Sequence, residues 1–369
     1  LSDTDPAFVS QEHRFPCDTC GSDLRYDPAG GHLKCDHCGN VEQIGTVWTK
    51  ARVIAELDLA RGLASTLDTA EMEETRISQC PNCAAQVEFD ANTQATECPF
   101  CATPVVADTG TQRHIKPRAV LPFALAEATA RDAMKNWLGS LWFAPNGLQA
   151  YARKGRQMDG IYVPYWTYDA QSDTRYTGER GTVYYETQTV MRDGKRTQVQ
   201  VAKVRWRGVS GRVARFFDDV LVLGSRSLPK RFTDGLEPWD LAALEPYAPE
   251  YLAGFRAEGY TVTLEDGLTE ARAKMDAMIE RDIKFDIGGD RQRIHSMDVD
   301  LSAMTFKHIL LPVWLAAYKY RGKSYRFVVN GRTGRVQGER PYSAIKITFA
   351  VLVGLIAAAI VGYLYAQNG

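Results

Sequence analysis

The sequence predicts an α+β fold class: two small N-terminal β modules, a mixed body of helices and antiparallel hairpins, and one C-terminal apolar helix. Three observations carry that expectation. All eight cysteines fall in four Cys-x-x-Cys pairs near the start of the chain, periodicity turns from helical to alternating near Gly160, and Ile347 to Tyr365 is an uncharged run of nineteen residues.

The first module (13–44) holds CDTCGSDLRYDPAGGHLKCDHC, with Cys17, Cys20, Cys35 and Cys38. The second (78–108) holds CPNCAAQVEFDANTQATECPFC, with Cys80, Cys83, Cys98 and Cys101. In both, fourteen residues separate the two pairs. Thiolates two residues apart can face one ion, and two such knuckles joined by a loop of this length give a tetrahedral four-sulfur zinc site with Zn–S of about 2.3 Å. The sequence therefore predicts two structural Zn2+ ions in two zinc ribbons. The chain opens LSDTDPAFVSQEHRFP, with no apolar leader, so a disulfide framework is not expected. Gly21 and Gly39 follow the second cysteine of each pair in the first module, where a tight turn calls for positive φ. Ala84 and Ala102 take those places in the second, with Pro81 and Pro99 inside the pairs. Four sulfur ligands leave no open coordination position, so the sites read as structural rather than hydrolytic. His32 and His37 then read as surface residues, and rubredoxin-like iron stays open as an alternative metal.

Zinc ribbons often meet nucleic acid, and charge arbitrates. Residues 1–108 carry 7 basic and 18 acidic side chains, net −11, which repels a phosphate backbone. Protein recognition is the better use of both modules. Between them, residues 45–77 read as a connecting helix around Val53, Ile54, Leu57 and Leu63, followed by an exposed acidic linker.

The body (115–340) opens with an amphipathic helix expected from about Leu125 to Leu138, and a loop at Pro145 to Gly147. From Gly160 onward, Tyr-, Val-, Thr- and Trp-rich stretches with Asp193-Gly194 and Asn330-Gly331 turns predict antiparallel hairpins. WDLAALEPYAPEYLAGFRAEG, starting at Trp239, reads as helical, and a second helix is expected from about Asp266 to Phe285. Pro-x-Trp recurs in VPYW at Val163 and LPVW at Leu311, a faint echo that suggests duplication less than it suggests similar aromatic strands. The aromatic stripe Tyr162, Trp166, Tyr168, Trp314, Tyr318 and Tyr320 reads as packing.

The apolar run is long enough, at about 1.5 Å per residue, to cross a hydrocarbon core of about 30 Å, and predicts one transmembrane helix over 345–365. Arg340 and Lys346 precede it and no basic residue follows, so the preceding bulk is expected on the cytoplasmic side, where thiolates stay reduced. Ala350, Gly354, Ala358 and Gly362 recur every fourth residue, a stripe through which a second helix could approach to form an oligomer. Two basic stretches balance the acidic front: residues 191–215 at net +7 and 307–346 at net +8. Within them Lys203, Arg205, Arg207, Arg321, Lys323 and Arg326 form a candidate basic surface for anionic lipid of the inner leaflet, with nucleic acid as the rival ligand.

No catalytic constellation emerges, and the chain is not expected to be an enzyme. RGKS at Arg321 imitates the end of a phosphate-binding loop, but Ala317 stands where that loop needs glycine. Asp286, Asp290 and His295 sit in a glycine-containing connector, and His13, His114 and His308 lack partners in sequence.

The two cysteine modules, YVPYWTYDA (162–170), RWRGVSG (205–211), YLAGFRAEGY (251–260) and LLPVWLAAYKYRGKSYRFVVNGRTGRVQGERPYS (310–343) together resemble a bacterial family of membrane-anchored tandem zinc-ribbon proteins. Its ribbons are similar to the TFIIB type, and its members are often labelled primosomal protein N′ (replication factor Y) or helicase-like. The helicase label does not carry over, because no nucleotide-binding loop accompanies the ribbons. The resemblance implies a non-enzymatic adaptor or scaffold, tail-anchored in the bacterial inner membrane. It also implies partners among SPFH (flotillin-like) or phage-shock-type membrane proteins. The alternative is a membrane-tethered nucleic-acid-binding protein without helicase activity.

Overall fold

The computed structural model describes residues 15–44, 54–82, 85–88, 95–98, 100, 103–106, 111–145, 158–192, 195–320 and 323–368. Among them are five α-helices and several antiparallel sheets, an α+β protein as the alternating and helical periods predict.

Three long strands dominate: Asp159–Arg192, Lys195–Leu223 and Arg291–Tyr320. The first lies between the other two and pairs antiparallel with both. At about 3.3 Å per residue its 34 residues trace roughly 110 Å. The third strand's pairing stops where Arg291 meets Gly181, so residues 182–192 and 195–205 continue as a two-stranded arm. Arg192 pairs with Lys195, which places the expected turn at Asp193-Gly194 although those two residues lie outside the described ones. Tyr320 pairs with Lys323 in the same way at the other end, so the strands on either side of Arg321 and Gly322, themselves outside the described residues, are antiparallel neighbours. The VPYW and LPVW segments cross antiparallel in adjacent strands, with Val163 opposite Leu311.

Side chains alternate between the two sheet faces. On one, Trp166, Tyr168, Ala170 and Tyr176 receive the helix Leu264–Ile287, whose buried Leu264, Leu268, Ala271, Met275, Ile279, Ile283 and Ile287 recur at helical spacing. Thr263 caps that helix by accepting from the Asp266 amide at 3.1 Å, and Gly288, at φ 63°, ends it. Nearer the base, Tyr162, Leu310 and Trp314 on this face pack with the first cysteine module. The opposite face, with Ile161, Val163, Tyr165, Ile309, Leu311 and Val313, packs with Cys80, Cys98 and Phe100 of the second. The aromatic stripe is packing as far as it is described: Tyr162, Trp166, Tyr168 and Trp314 are buried.

Three local expectations fail for physical reasons. The 45–77 linker is stitched to the body. Leu57–Asp58 pairs with Thr305–Phe306, the buried Leu57 and Leu59 join the core, and among the described residues of the linker, which leave out Val53, the α-helix is Leu59–Leu63. Its acidic end is strand: Met72–Gln79 pairs with Thr111–Ile115 and with Gln86–Glu88, so the second module's sheet reaches beyond 78–108. The expected helix from Trp239 is replaced by short 3-10 turns, Leu241–Ala243 and Pro249–Leu252, because Pro246 and Pro249 lack the amide hydrogens a helix needs. The helix near Leu125 is observed as Glu127–Ser140.

Opposite Asp169 and Ala170 the second and third long strands each carry one extra residue, with Asp219 and Ala303 at φ 53° and 49°, and here the Asp169 carboxylate meets the buried Lys307. The Lys307 ammonium meets Asp219 at 2.7 Å, Glu56 at 3.0 Å and Asp169 at 3.2 Å, so the linker and all three long strands share one ion-pair cluster. Asp218 and Asp219 stand beside Asp169 in this group, but the ammonium at its centre accounts for the carboxylates without a metal.

Candidate metal centre

The first module is a three-stranded sheet of Leu24–Asp27, His32–Cys35 and Val41–Glu42, with a cysteine knuckle on either side of its first hairpin. Each knuckle closes on itself. The Cys17 amide donates to Ser22 O at 2.7 Å and the Gly21 amide to Cys17 O at 2.8 Å. The Cys35 amide donates to Asn40 O at 2.8 Å and the Gly39 amide to Cys35 O at 3.0 Å. Gly21 and Gly39 sit at φ 74° and 78°, the left-handed turn expected of them.

These turns aim four sulfurs at one point. Cys17 and Cys38 Sγ are 3.6 Å apart, Cys20 and Cys35 Sγ are 3.5 Å apart, and all four lie within 4.8 Å of one another. A tetrahedron with metal–sulfur bonds of about 2.3 Å has edges of about 3.8 Å, so the donor set fits a single metal ion of the zinc type. The electrostatics agree. The Ser22 amide, with its side chain, holds the Cys20 thiol down at about 6. Burial opposes ionisation at Cys17, but the Thr19 and Cys20 amides outweigh it and lower that thiol too. At Cys38 the Asn40 amide favours the thiolate, yet burial and the three neighbouring sulfurs push it up to about 12. A cation is what lets four such sulfurs ionise together. Outside the tetrad, Asn40 donates to Cys17 Sγ at 3.5 Å and to Glu42 at 3.0 Å, steadying a ligand from behind.

The module is not held out from the body. Its Leu24, Tyr26, Leu33 and Ile44 are buried in a cluster with Phe123, Tyr162, Tyr251 and Trp314. The Tyr26 amide donates to Ala253 O at 2.9 Å, and its ring packs edge-on against Tyr251 with centroids 5.6 Å apart. Cys20, Cys38 and His37 remain on the outer side. His32 is half-buried, its ring 3.8 Å from Asp27, and takes no place in the sulfur tetrad.

Of the second module's cysteines, Cys80 and Cys98 are described and buried, while Cys83 and Cys101 lie outside the described residues. The Cys80 amide donates to Ala85 O and the Cys98 amide to Thr103 O, each at 2.8 Å. Both repeat the five-residue closure seen at Cys17 and Cys35. Sequence reasoning had no means of finding the nearby Glu258, which is buried under Ser225 (2.7 Å) and whose carboxyl burial pushes up to about 8.

The six basic residues do not form one surface. Lys203, Arg205 and Arg207 share a strand face, as their alternation predicts, but on the arm and at its root. Arg326 sits opposite Ala317 at the far end, Lys323 opens the strand Lys323–Asn330 there, and Arg321 lies outside the described residues. From Lys203 to Arg326 the strand path is roughly 90 Å, counted through Tyr184, Asp159 and Leu315 at about 3.3 Å per residue. The arm charges are also engaged: Lys203 pairs with Glu186, and the Arg205 guanidinium lies 5.2 Å from the Tyr184 ring centre.

The chain ends in the helix Ala344–Asn368, whose segment Ala344–Tyr365 is long and apolar enough to cross a membrane and is not buried. Gly354, Ala358 and Gly362 are exposed and Ala350 half-exposed, all four on one helix face.

The chain is 26% identical over 336 residues to the uncharacterized protein YdjG of Bacillus subtilis (strain 168), an alignment covering 90% of this chain and 91% of that protein. No family model matches the chain, and no solved structure matches it.

Proposed function

We propose that this chain is a non-enzymatic, membrane-anchored zinc-ribbon scaffold of the bacterial inner membrane, with its N-terminal bulk on the cytoplasmic face. The observation that carries the reading is the closed sulfur tetrad of Cys17, Cys20, Cys35 and Cys38, packed on the body of a chain that ends in an exposed apolar helix. Four cysteines around one ion leave no position for substrate, so a metal here supplies fold rather than chemistry. The repeated closure at Cys80 and Cys98 supports a second zinc held with Cys83 and Cys101. The cysteine modules pack on opposite sheet faces, which suits a body that presents two recognition surfaces at once. SPFH (flotillin-like) or phage-shock-type membrane proteins are the partner class proposed, with the Ala350–Gly362 stripe available for oligomerisation.

The test is crosslinking in membranes followed by mild-detergent purification and partner identification, with Cys20→Ser as control. Membrane proteins that co-purify with the parent chain and vanish with Cys20→Ser support the scaffold. Nuclease-sensitive nucleic acid as the main companion favours the alternative, a tethered nucleic-acid binder using Arg205 and Arg207.

A further inference from the structure

Helix Glu127–Ser140 ends in a short segment, residues 141–145, that the structure fastens to the first turn of the C-terminal helix. The Ser343 amide donates to Phe143 O at 2.8 Å, and Lys346 Nζ donates to Ala144 O at 2.9 Å. Lys346 is the last charge before the apolar run from Ile347. A carbonyl held by its ammonium therefore stands at the depth where that run begins.

At this level the surface changes character. Trp142 is 67% exposed and Tyr342 60% exposed, each the sequence neighbour of a residue joined by the Ser343–Phe143 hydrogen bond, while Ala144 is buried. Ile345 is 83% exposed. Trp142 packs only partly on Phe143, with ring centroids 5.3 Å apart, and the Arg340 guanidinium covers Tyr342 at 5.2 Å from its ring centre. In water, exposing indole and phenol rings forfeits burial. At a bilayer surface the same rings are at their preferred depth, apolar body toward the acyl chains and polar edge toward water, with Arg340 and Lys346 at the phosphates.

We propose that residues 141–145 and 340–346 form an interfacial shelf that seats the body on the headgroup layer of the bilayer entered by its own C-terminal helix, with the Trp142 indole inserted. The inference rests on the membrane-anchor reading. Its occupant is lipid because the exposed rings are continuous with the anchor, Arg340 and Lys346 stand in the same segment, and two hydrogen bonds tie residues 143 and 144 to the start of the anchor helix.

The full chain and its Trp142→Phe variant are reconstituted into phosphatidylcholine–phosphatidylglycerol vesicles whose acyl chains carry bromine either near the headgroup or near the bilayer centre. Tryptophan emission is then compared. The parent chain is expected to be quenched by the shallow bromines more than by the deep ones, and Trp142→Phe to lose most of that quenching while still floating with the vesicles. Equal quenching of the two chains, both floating, overturns the shelf and leaves the anchor standing; this is also what a protein partner covering Trp142 would give. Failure of either chain to float overturns the anchor and the shelf with it.

Discussion

The Tyr26 hydroxyl, in the hairpin of the first cysteine module, donates to the Phe123 carbonyl oxygen at 3.3 Å across a buried junction with the body. Burial pushes this phenol up to about 12, so it remains a donor throughout the physiological range. Tyr26→Ala removes the ring from between Tyr251 and Phe255 as well as the bond, and large-to-small losses of buried aromatics cost about 3–5 kcal/mol. The expected outcome is faster proteolysis within residues 15–44 and unchanged metal content, because Tyr26 is not a ligand. Tyr26→Phe keeps the packing and is expected to cost only about 1 kcal/mol. Equal behaviour of both variants would show that the ring does not dock the module.

Metal content separates the two cysteine sites. The purified chain is expected to carry two zinc ions by elemental analysis, Cys20→Ser to lose one, and Cys80→Ser to lose the other. Chelation then loosens each module while the long-strand body persists, since small ribbons depend on their metal for folding. If Cys80→Ser keeps the full metal content of the parent chain, the five-residue closure at Cys80 and Cys98 is a turn without a metal.

Lys307 is 7% exposed at its side chain and faces Asp169, Asp219 and Glu56. Removing one partner of a buried ion pair commonly costs about 3–5 kcal/mol because the remaining charge is stranded. Lys307→Met is therefore expected to lower the unfolding midpoint sharply. Burial and the neighbouring Glu56 already raise Asp169 to about 6, so Asp169→Asn in the same chain should recover part of the loss. A double variant no more stable than Lys307→Met would mean that the stranded carboxylates are not the source of the cost.

His308 gives the body a defined acid sensitivity. Burial lowers it to about 4, its Nδ1 lies 2.8 Å from Ile115 O, and Trp166, Tyr260 and His114 surround it. Unfolded, the imidazole has its ordinary value near 6.5. Between those values the unfolded chain holds a proton that the folded chain does not, so stability present above pH 6.5 falls as pH drops toward 4, by about 3 kcal/mol in full. His308→Asn keeps a donor toward Ile115 O and does not titrate. Its unfolding midpoint is expected to vary less between pH 6.5 and 4 than that of the parent chain, and identical slopes would assign the acid sensitivity elsewhere.

The sequence revealed those features whose cause is local. The positive φ of Gly21 and Gly39, the buried stripe from Leu264 to Ile287 and the antiparallel pairing of Arg192 with Lys195 each follow from residues within a few positions of one another. Non-local causes were hidden. The first long strand runs through Gly178 and Gly181, where Arg293 and Arg291 of the neighbouring strand crowd the place a Cβ would take. Met72–Gln79 is charged enough to pass for a linker, and only its pairing with Thr111–Ile115 makes it a strand. The site shows the same division: the sulfur set was legible from spacing, whereas its seat on Phe123, Tyr251 and Trp314 joins residues far apart in the chain, 97 positions for Tyr26 and Phe123.

That division also decides what the basic residues do. Lys203, Arg205 and Arg207 stand about 75–90 Å along the strands from Arg326, while charges at a membrane surface are screened beyond about 8 Å in physiological salt. If the anchor end alone meets the bilayer, charge reversal on the arm (K203E, R205E, R207E) leaves attraction to anionic vesicles unchanged. Reversal at the anchor end (R340E, K346E) weakens it, each charge near the surface being worth about 1 kcal/mol. The measurement is the salt concentration at which full-length proteoliposomes lose their preference for binding phosphatidylglycerol-rich vesicles. Loss of that preference in the arm variant would mean that the long sheet lies along the membrane and that its arm, too, is a lipid-binding surface.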